Sequence, residues 1–434
     1  MSLGWLTPLE YLYGAATGLK NAAYDRRWAR VRRLDWPVIS VGNLSVGGAG
    51  KTPVVILLAE LLRARGVAVS VLSRGYGRRS AAVEVVDPGG TAERFGDEPL
   101  LIARRLQKFV HESTDRRSED GGPEDGARRD SGLEAGRPGW GRASVAVGAD
   151  RFRAGLLAQS LWPAGVRGVH LLDDGFQHRR LARDLDVVVV HRSDLEPRLL
   201  PVGRLREPLR ALRRAGVLVL RDGDRDLEAA LRARGLDAPI WWVRRSLELA
   251  PSKVPAGEVL AGELPARELP PGEQSELPVS EVTPDQVTPD RFVSDQFAPA
   301  DIAAGEVGPG GRQLTRRVVA FCGIARPAEF FAAVREAGGQ VVSTRAFRDH
   351  HRYSPPDMSR LFRVAIEARA EAFVTTEKDA VRLGPALLKI LTGSGQTGIQ
   401  VARLNAVFLD EDRVVNELLA LPGLETAAAA GSAP

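Results

Sequence analysis

Two periods of apolar residues alternate along the chain. Short apolar runs bounded by Gly, Pro or Asp fall at 37–42, 67–72, 168–172, 185–190 and 217–220. Between them, Leu57, Leu58, Leu61 and Leu62 mark one face of a helix over 53–65, and a second helix is expected from Asp97 to about Phe109. Buried strands alternating with helices predict an α/β fold: a parallel sheet flanked by helices, of the kind that carries a phosphate-binding loop. A second series follows, with strands at 318–322, 340–343, 372–375 and 401–408 and helices at 327–337 and 355–370. It predicts a smaller α/β domain over 317–425, after a larger one over 34–249.

Three stretches break the pattern. Residues 112–142 are Gly, Asp, Glu and Arg with hardly any large apolar side chain, and are expected to be a disordered insertion. Residues 250–316 are rich in Pro, Glu and Gly, and read as a linker or expanded loop. Residues 426–434 read as a disordered tail. At the other end, Thr7-Pro8-Leu9-Glu10 has the form of a capping box. Leu9, Leu12, Tyr13, Ala16 and Leu19 recur behind it at helical spacing, followed by Lys20, Arg26, Arg27, Arg30, Arg32 and Arg33. This amphipathic segment, 1–33, suits either a membrane interface or a packed first helix. No apolar run is long enough to span a bilayer, and the start lacks the pattern of a signal peptide.

Composition narrows the partners. The net charge is +5 and the sequence pI about 9.6. Arginine's planar fork suits phosphates and carboxylates, so nucleotides, acidic lipids and nucleic acids all remain open. No aromatic-interleaved basic stripe points to nucleic acid, and no segment indicates an obligate protein partner. The single cysteine, Cys322, excludes an intrachain disulfide and reads as a small core residue.

The chemistry starts at Ser45-Val46-Gly47-Gly48-Ala49-Gly50-Lys51-Thr52, between an apolar run and a helix. Ser45 stands where the usual pattern has glycine, and Gly47 and Gly48 restore the backbone freedom the loop needs. Successive N–H groups at a helix start can hold the phosphates of ATP. Lys51 suits the β- and γ-phosphates, and the Thr52 hydroxyl suits Mg²⁺. Asp173 and Asp174 end a later apolar run, where carboxylates can hold the metal. Asp97, in Gly96-Asp97-Glu98-Pro99, reads either as a helix cap or as a base facing the phosphates. The cluster from Asp349 through His350 to Ser354 reads either as a solvated loop or as an acid–base group.

Together these strings resemble the tetraacyldisaccharide 4′-kinase family. The matching segments are 40–53, 72–78, 96–99, 172–178, 203–208, 321–327, 349–350 and 375–380, in the family's order. Asp173-Asp174-Gly175-Phe176-Gln177-His178 is the most specific of them. The resemblance implies transfer of the γ-phosphate of ATP to the 4′-hydroxyl of an acylated glucosamine disaccharide 1-phosphate. It also implies a peripheral place on the cytoplasmic face of the inner membrane, anchored by the first helix. Under it Asp97 becomes the base and His350 its partner, and Glu98 joins Thr52, Asp173 and Asp174 as a metal candidate. Asn43, Arg74, Arg78, Gln177, His178 and Arg206 become substrate candidates. Arg204 departs from the family, which usually has proline there.

Three rivals are weaker. A GTPase-like switch lacks its guanine string, since Thr376-Glu377-Lys378-Asp379 has the wrong spacing. A nucleic-acid-stimulated ATPase lacks its motif set. A P-loop kinase or ligase of a soluble metabolite differs by needing no lipid or detergent.

Overall fold

The computed structural model describes residues 6–48, 50–107, 143–251, 317–392 and 398–424. Ala49 and the segments 112–142, 252–316 and 426–434 lie outside the described residues.

The strands are β1 (Val38–Gly42), β2 (Ala68–Ser73), β3 (Glu84–Val85), β4 (Ala143–Val147), β5 (Gly168–Asp173) and β6 (Leu185–Val189). They continue as β7 (Val217–Arg221), β8 (Ile240–Pro251), β9 (Arg317–Cys322), β10 (Gln340–Ala346), β11 (Ala372–Thr376) and β12 (Gly398–Phe408). All twelve join one sheet in the order β10-β9-β11-β12-β8-β7-β6-β1-β5-β2-β4-β3. Pairing is parallel except at β3–β4 and β8–β12. The strands expected for two units are thus joined through β8, a strand absent from the sequence expectation. Trp241 and Val243 of β8 are buried while Arg244 is exposed, so one face meets the core. Its arginines hide that alternation in the bare sequence.

The helices are α1 (Thr7–Asp25), α2 (Lys51–Ala64), α3 (Ala92–Phe95), α4 (97–107) and α5 (Arg151–Ser160). They continue as α6 (Arg225–Arg232), α7 (Pro327–Glu336), α8 (Pro355–Glu367), α9 (Glu377–Thr392) and α10 (Glu411–Leu419). Strands β1, β2 and β5 are buried throughout, as strands covered on both faces must be. Helix α2 buries Val54, Val55, Leu58 and Leu62 in the same core. This burial fixes the start of α2 at the end of β1, where the glycine-rich loop lies.

The expected capping box at Thr7 does not form. Thr7 is already helical, Leu6 precedes the helix, and no side chain caps it. Glu10 instead accepts from the Leu199 N–H (2.6 Å) and pairs with Arg198 (3.0 Å). A long-range partner has taken the carboxylate that a local box would use. No residue of α1 is fully buried; Leu9, Leu12 and Leu19 are exposed, Leu12 by 66%. No helix among the described residues is long and apolar enough to cross a membrane.

Candidate active site

The loop after β1 is shaped by glycine. Gly47 and Gly50 have φ of +99° and +82°, the left-handed region that disfavours side chains. A Cβ on Gly47 would lie 2.4 Å from the Arg204 guanidinium, the mobile end of an exposed side chain, so the left-handed backbone rather than lack of space selects glycine here. The departure at Arg204 therefore lies against this loop, where its Nη2 also donates to the Val46 carbonyl (3.0 Å). The buried Leu205 sits between Arg204 and Arg206, and Ser45 bridges to Leu205.

Lys51 Nζ donates to Asn43 Oδ1 (2.8 Å) and pairs with Asp174 (3.2 Å). Asp174 in turn holds Arg206 (2.7 Å). Burial opposes its charge, but Lys51 and Arg206 hold the Asp174 carboxyl below the usual range. Gln177 closes the ring: its Nε2 donates to the Asn43 carbonyl (2.9 Å) and its Oε1 accepts from Arg206 (3.4 Å). Asn43, Lys51, Asp174, Gln177 and Arg206 form one network around the phosphate loop.

Asp173 differs from its neighbour. Its Oδ2 accepts from Ser73 (2.9 Å), while Oδ1 is buried with no hydrogen-bond partner. Burial, then the charges of Glu98 and Asp174, push its pKa up to about 7. A buried carboxylate oxygen without a donor is costly unless a cation completes it. The residues here fit Mg²⁺ on that ground. Among the described residues no three His, Cys, Asp or Glu side chains gather as a metal cage. An Mg²⁺ held by one or two carboxylates and by phosphates needs no such cage.

Asp97 begins α4. As a local cap it makes one contact, from the Glu98 N–H to Oδ1 (3.0 Å). Its Oδ2 accepts from His350 Nδ1 (2.9 Å) and from Arg382 Nε (2.8 Å), so the residue does more than cap. Burial works against ionisation, yet His350, Lys378 and Arg382 outweigh it and hold the Asp97 carboxyl well below the usual range. Glu98 pairs with Lys378 (2.7 Å). The exposed Tyr76 ring lies 5.4 Å from that of His350.

The other substrate candidates divide. Arg74 is exposed. Arg78 is turned inward, donating to the Ala82 carbonyl (2.7 Å) near Glu84, with its side chain 5% exposed. His178 stays neutral: burial, then Arg151, Arg183, Lys20 and Arg180, lower its pKa to about 4.

The family described as Tetraacyldisaccharide-1-P 4'-kinase matches residues 3–119 and 139–421. The chain belongs to this family. Among similar proteins, the tetraacyldisaccharide 4′-kinase of Koribacter versatilis is 35% identical over 95% of this chain and 98% of its own. That of Anaeromyxobacter dehalogenans is 35% identical over 95% and 88%. A crystal structure of LpxK from Aquifex aeolicus in complex with ATP is 26% identical. It superposes with a TM-score of 0.59 over 96% of this chain and 98% of that one.

Around this kinase's site lie residues that local motifs did not single out. Arg151, at the start of α5, donates to the Gly148 and Ala149 carbonyls (3.2 Å each). Burial first, with Arg74 and Arg78 adding repulsion, pushes its pKa down to about 10, against the pull of Asp173 and Asp174. Lys378 and Arg382 reach Glu98 and Asp97 from 280 and 285 residues away. Only the fold could reveal them, although both lie in or beside the matching segment 375–380.

Proposed function

We propose that this kinase transfers the γ-phosphate of ATP to the 4′-hydroxyl of a tetraacylated glucosamine disaccharide 1-phosphate. The observation that carries the reading is the Asp97–His350 pair, held at 2.9 Å beside a phosphate loop in a chain that belongs to this family along nearly its whole length. The loop from Ser45 to Thr52 cradles the triphosphate, with Lys51 drawn from Asn43 and Asp174 toward the β- and γ-phosphates. Thr52 and Asp173 would hold Mg²⁺, with Asp174 and Glu98 close by. When bound, the ion neutralises charge on the transferring group.

A sugar hydroxyl is a weak nucleophile, so its proton must go to a positioned base. Asp97 is ionised and accepts it, with His350 orienting the carboxylate from 2.9 Å. The hydroxyl oxygen forms its bond to the γ-phosphorus as the bond to the β-phosphate oxygen breaks and ADP leaves. Arg74 and Arg206 are placed for the substrate's phosphate or sugar hydroxyls, and Arg78 for their support.

The enzyme sits peripherally on the cytoplasmic face of the inner membrane. The exposed Leu9, Leu12 and Leu19 of α1, with Trp28 71% exposed and arginines around it, support an interfacial helix. Tyr13 Oη donates to the Arg206 carbonyl (3.0 Å) and Lys20 Nζ to that of Gln177 (3.1 Å), so the helix adjoins the site.

The test is a detergent-micelle assay with labelled ATP and disaccharide 1-phosphate, using wild-type enzyme and Lys51→Ala. Label at the 4′ position, lost in the variant, is expected. ATP hydrolysis without lipid labelling would reject the lipid substrate and favour a soluble one.

A further inference from the structure

The catalytic pair comes from two parts of the chain, and something must hold them in register. The first two turns of α9 reach both members, Asp97 directly and His350 through Gly323 and Tyr353. Arg382 meets Asp97 Oδ2 through Nε (2.8 Å) and Nη2 (2.7 Å), and turns Nη1 to the Gly323 carbonyl (2.7 Å) and to Asp379 (2.9 Å). Asp379 is fully buried, and it accepts from the Gly323 N–H (3.0 Å), Tyr353 Oη (2.9 Å) and Thr376 Oγ1 (2.6 Å).

Those same groups define the His350 loop. The His350 N–H donates to the Gly323 carbonyl (3.1 Å), and Tyr353 closes the loop three residues on. His350 itself has φ of +58°, a left-handed conformation that a histidine keeps only when its surroundings enforce it. Gly323 is closely packed: a Cβ there would lie 3.1 Å from the Arg348 carbonyl and 3.2 Å from Asp379. The carboxylate of the pair is therefore fixed by Arg382. The imidazole's backbone is fixed through Gly323 and Tyr353 by Asp379, one helical turn from Arg382.

We propose that Arg382 and Asp379 are positioning residues for phosphoryl transfer, setting the placement of Asp97 against His350 without touching the substrate. The proposal rests on the reading of Asp97 and His350 as the proton-accepting pair. Arg382 is the better probe because it acts on Asp97 by charge as well as by geometry. The charged and titratable groups around Asp97 are His350, Lys378, Glu98 and Arg382, with Asp349 beside His350 and Asp379 behind Arg382.

The experiment compares full-length wild type, Arg382→Gln, Arg382→Lys and Asp97→Asn in the micelle assay across pH, with thermal unfolding as the check on folding. For Arg382→Gln, kcat should fall about 100-fold, the scale of a misplaced catalytic group. The KM for ATP should stay within about threefold, since the phosphate loop is untouched. Arg382→Lys, which restores the charge but not the two-pronged contact, should recover kcat only in part. A folded Arg382→Gln with wild-type kcat, or with kcat reduced only in step with a raised KM for ATP, overturns the proposal. If Arg382→Gln does not fold, Arg382→Lys decides alone: it keeps the charge but loses the fork, so lowered kcat with an unchanged KM for ATP supports positioning and wild-type kcat overturns it. Asp97→Asn separates the two claims. If it retains turnover, the pair itself is misassigned; if it is inactive while Arg382→Gln is normal, only the positioning role falls.

Discussion

His350 Nδ1 lies 2.9 Å from Asp97 Oδ2 across 253 residues of chain. The contact unites an amino acid at the start of α4 with one in the loop after β10. Asp97→Asn removes the charge that accepts a proton and orients the imidazole, and turnover should fall by about 10²–10⁴-fold. His350→Gln should cost less if it only orients the carboxylate. Steady-state kinetics on both variants decides: an equal or larger loss in His350→Gln would make the imidazole the principal acceptor.

Arg74 and Arg78 come from one motif but face different surroundings. Arg74→Gln should raise the KM for the lipid with little change in melting temperature. Arg78→Gln should do the reverse, losing its hydrogen bond to Ala82 and its nearby Glu84. A charge-assisted bond to an exposed carbonyl of this kind contributes about 1 kcal/mol. Unfolding midpoints and lipid titrations on both variants check the split.

Much of the site could be read from neighbouring letters. The phosphate loop and the Asp173–His178 string are contiguous, because a loop that wraps an anion must supply successive backbone groups. The supports of that site were not legible. Arg382, Lys378 and Arg151 act through tertiary contacts, and an arginine in a helix looks the same whether it holds a catalytic carboxylate or faces water. Strand β8 was missed because Arg244 and Arg245 interrupt its apolar run. The Thr7 box was misread because Glu10 had a better partner at Leu199.

His170 carries a pH dependence unrelated to catalysis. It is fully buried beside Trp36, with Nε2 3.3 Å from Gln159 Oε1, and burial lowers its pKa to about 3. The unfolded chain takes up a proton near the ordinary histidine value, and the folded one does not. The contribution to stability is therefore intact above about pH 6.5 and is lost as the pH falls toward 3. At about pH 5.5 the loss from one such histidine is about 1 kcal/mol. Urea midpoints at pH 7 and 5.5 should draw closer in His170→Gln than in wild type; an unchanged gap would assign the acid sensitivity to other groups, such as His191.

Leu12 and Leu19 project from α1 without burying against the fold. Leu12→Lys with Leu19→Lys should leave the melting temperature nearly unchanged and sharply reduce sedimentation with anionic vesicles. Binding equal to wild type would remove α1 from the membrane contact.

The pitch of α4 has a geometric meaning. Six strand steps separate β1, which ends at the phosphate loop, from β9, which ends at Gly323. In a flat sheet that is about 29 Å, at about 4.8 Å per step. The described part of α4, residues 97–107, is about 16 Å long. It is fastened to α9 at two points: by Asp97 and Glu98 at its start, and by Arg105 on Glu377 (2.8 Å) two turns further on. It works as a ruler. One residue added inside it would turn Arg105 about 100° away from Glu377 while leaving Asp97 in place. In this fold, the spacing of the active site is written in helical turns.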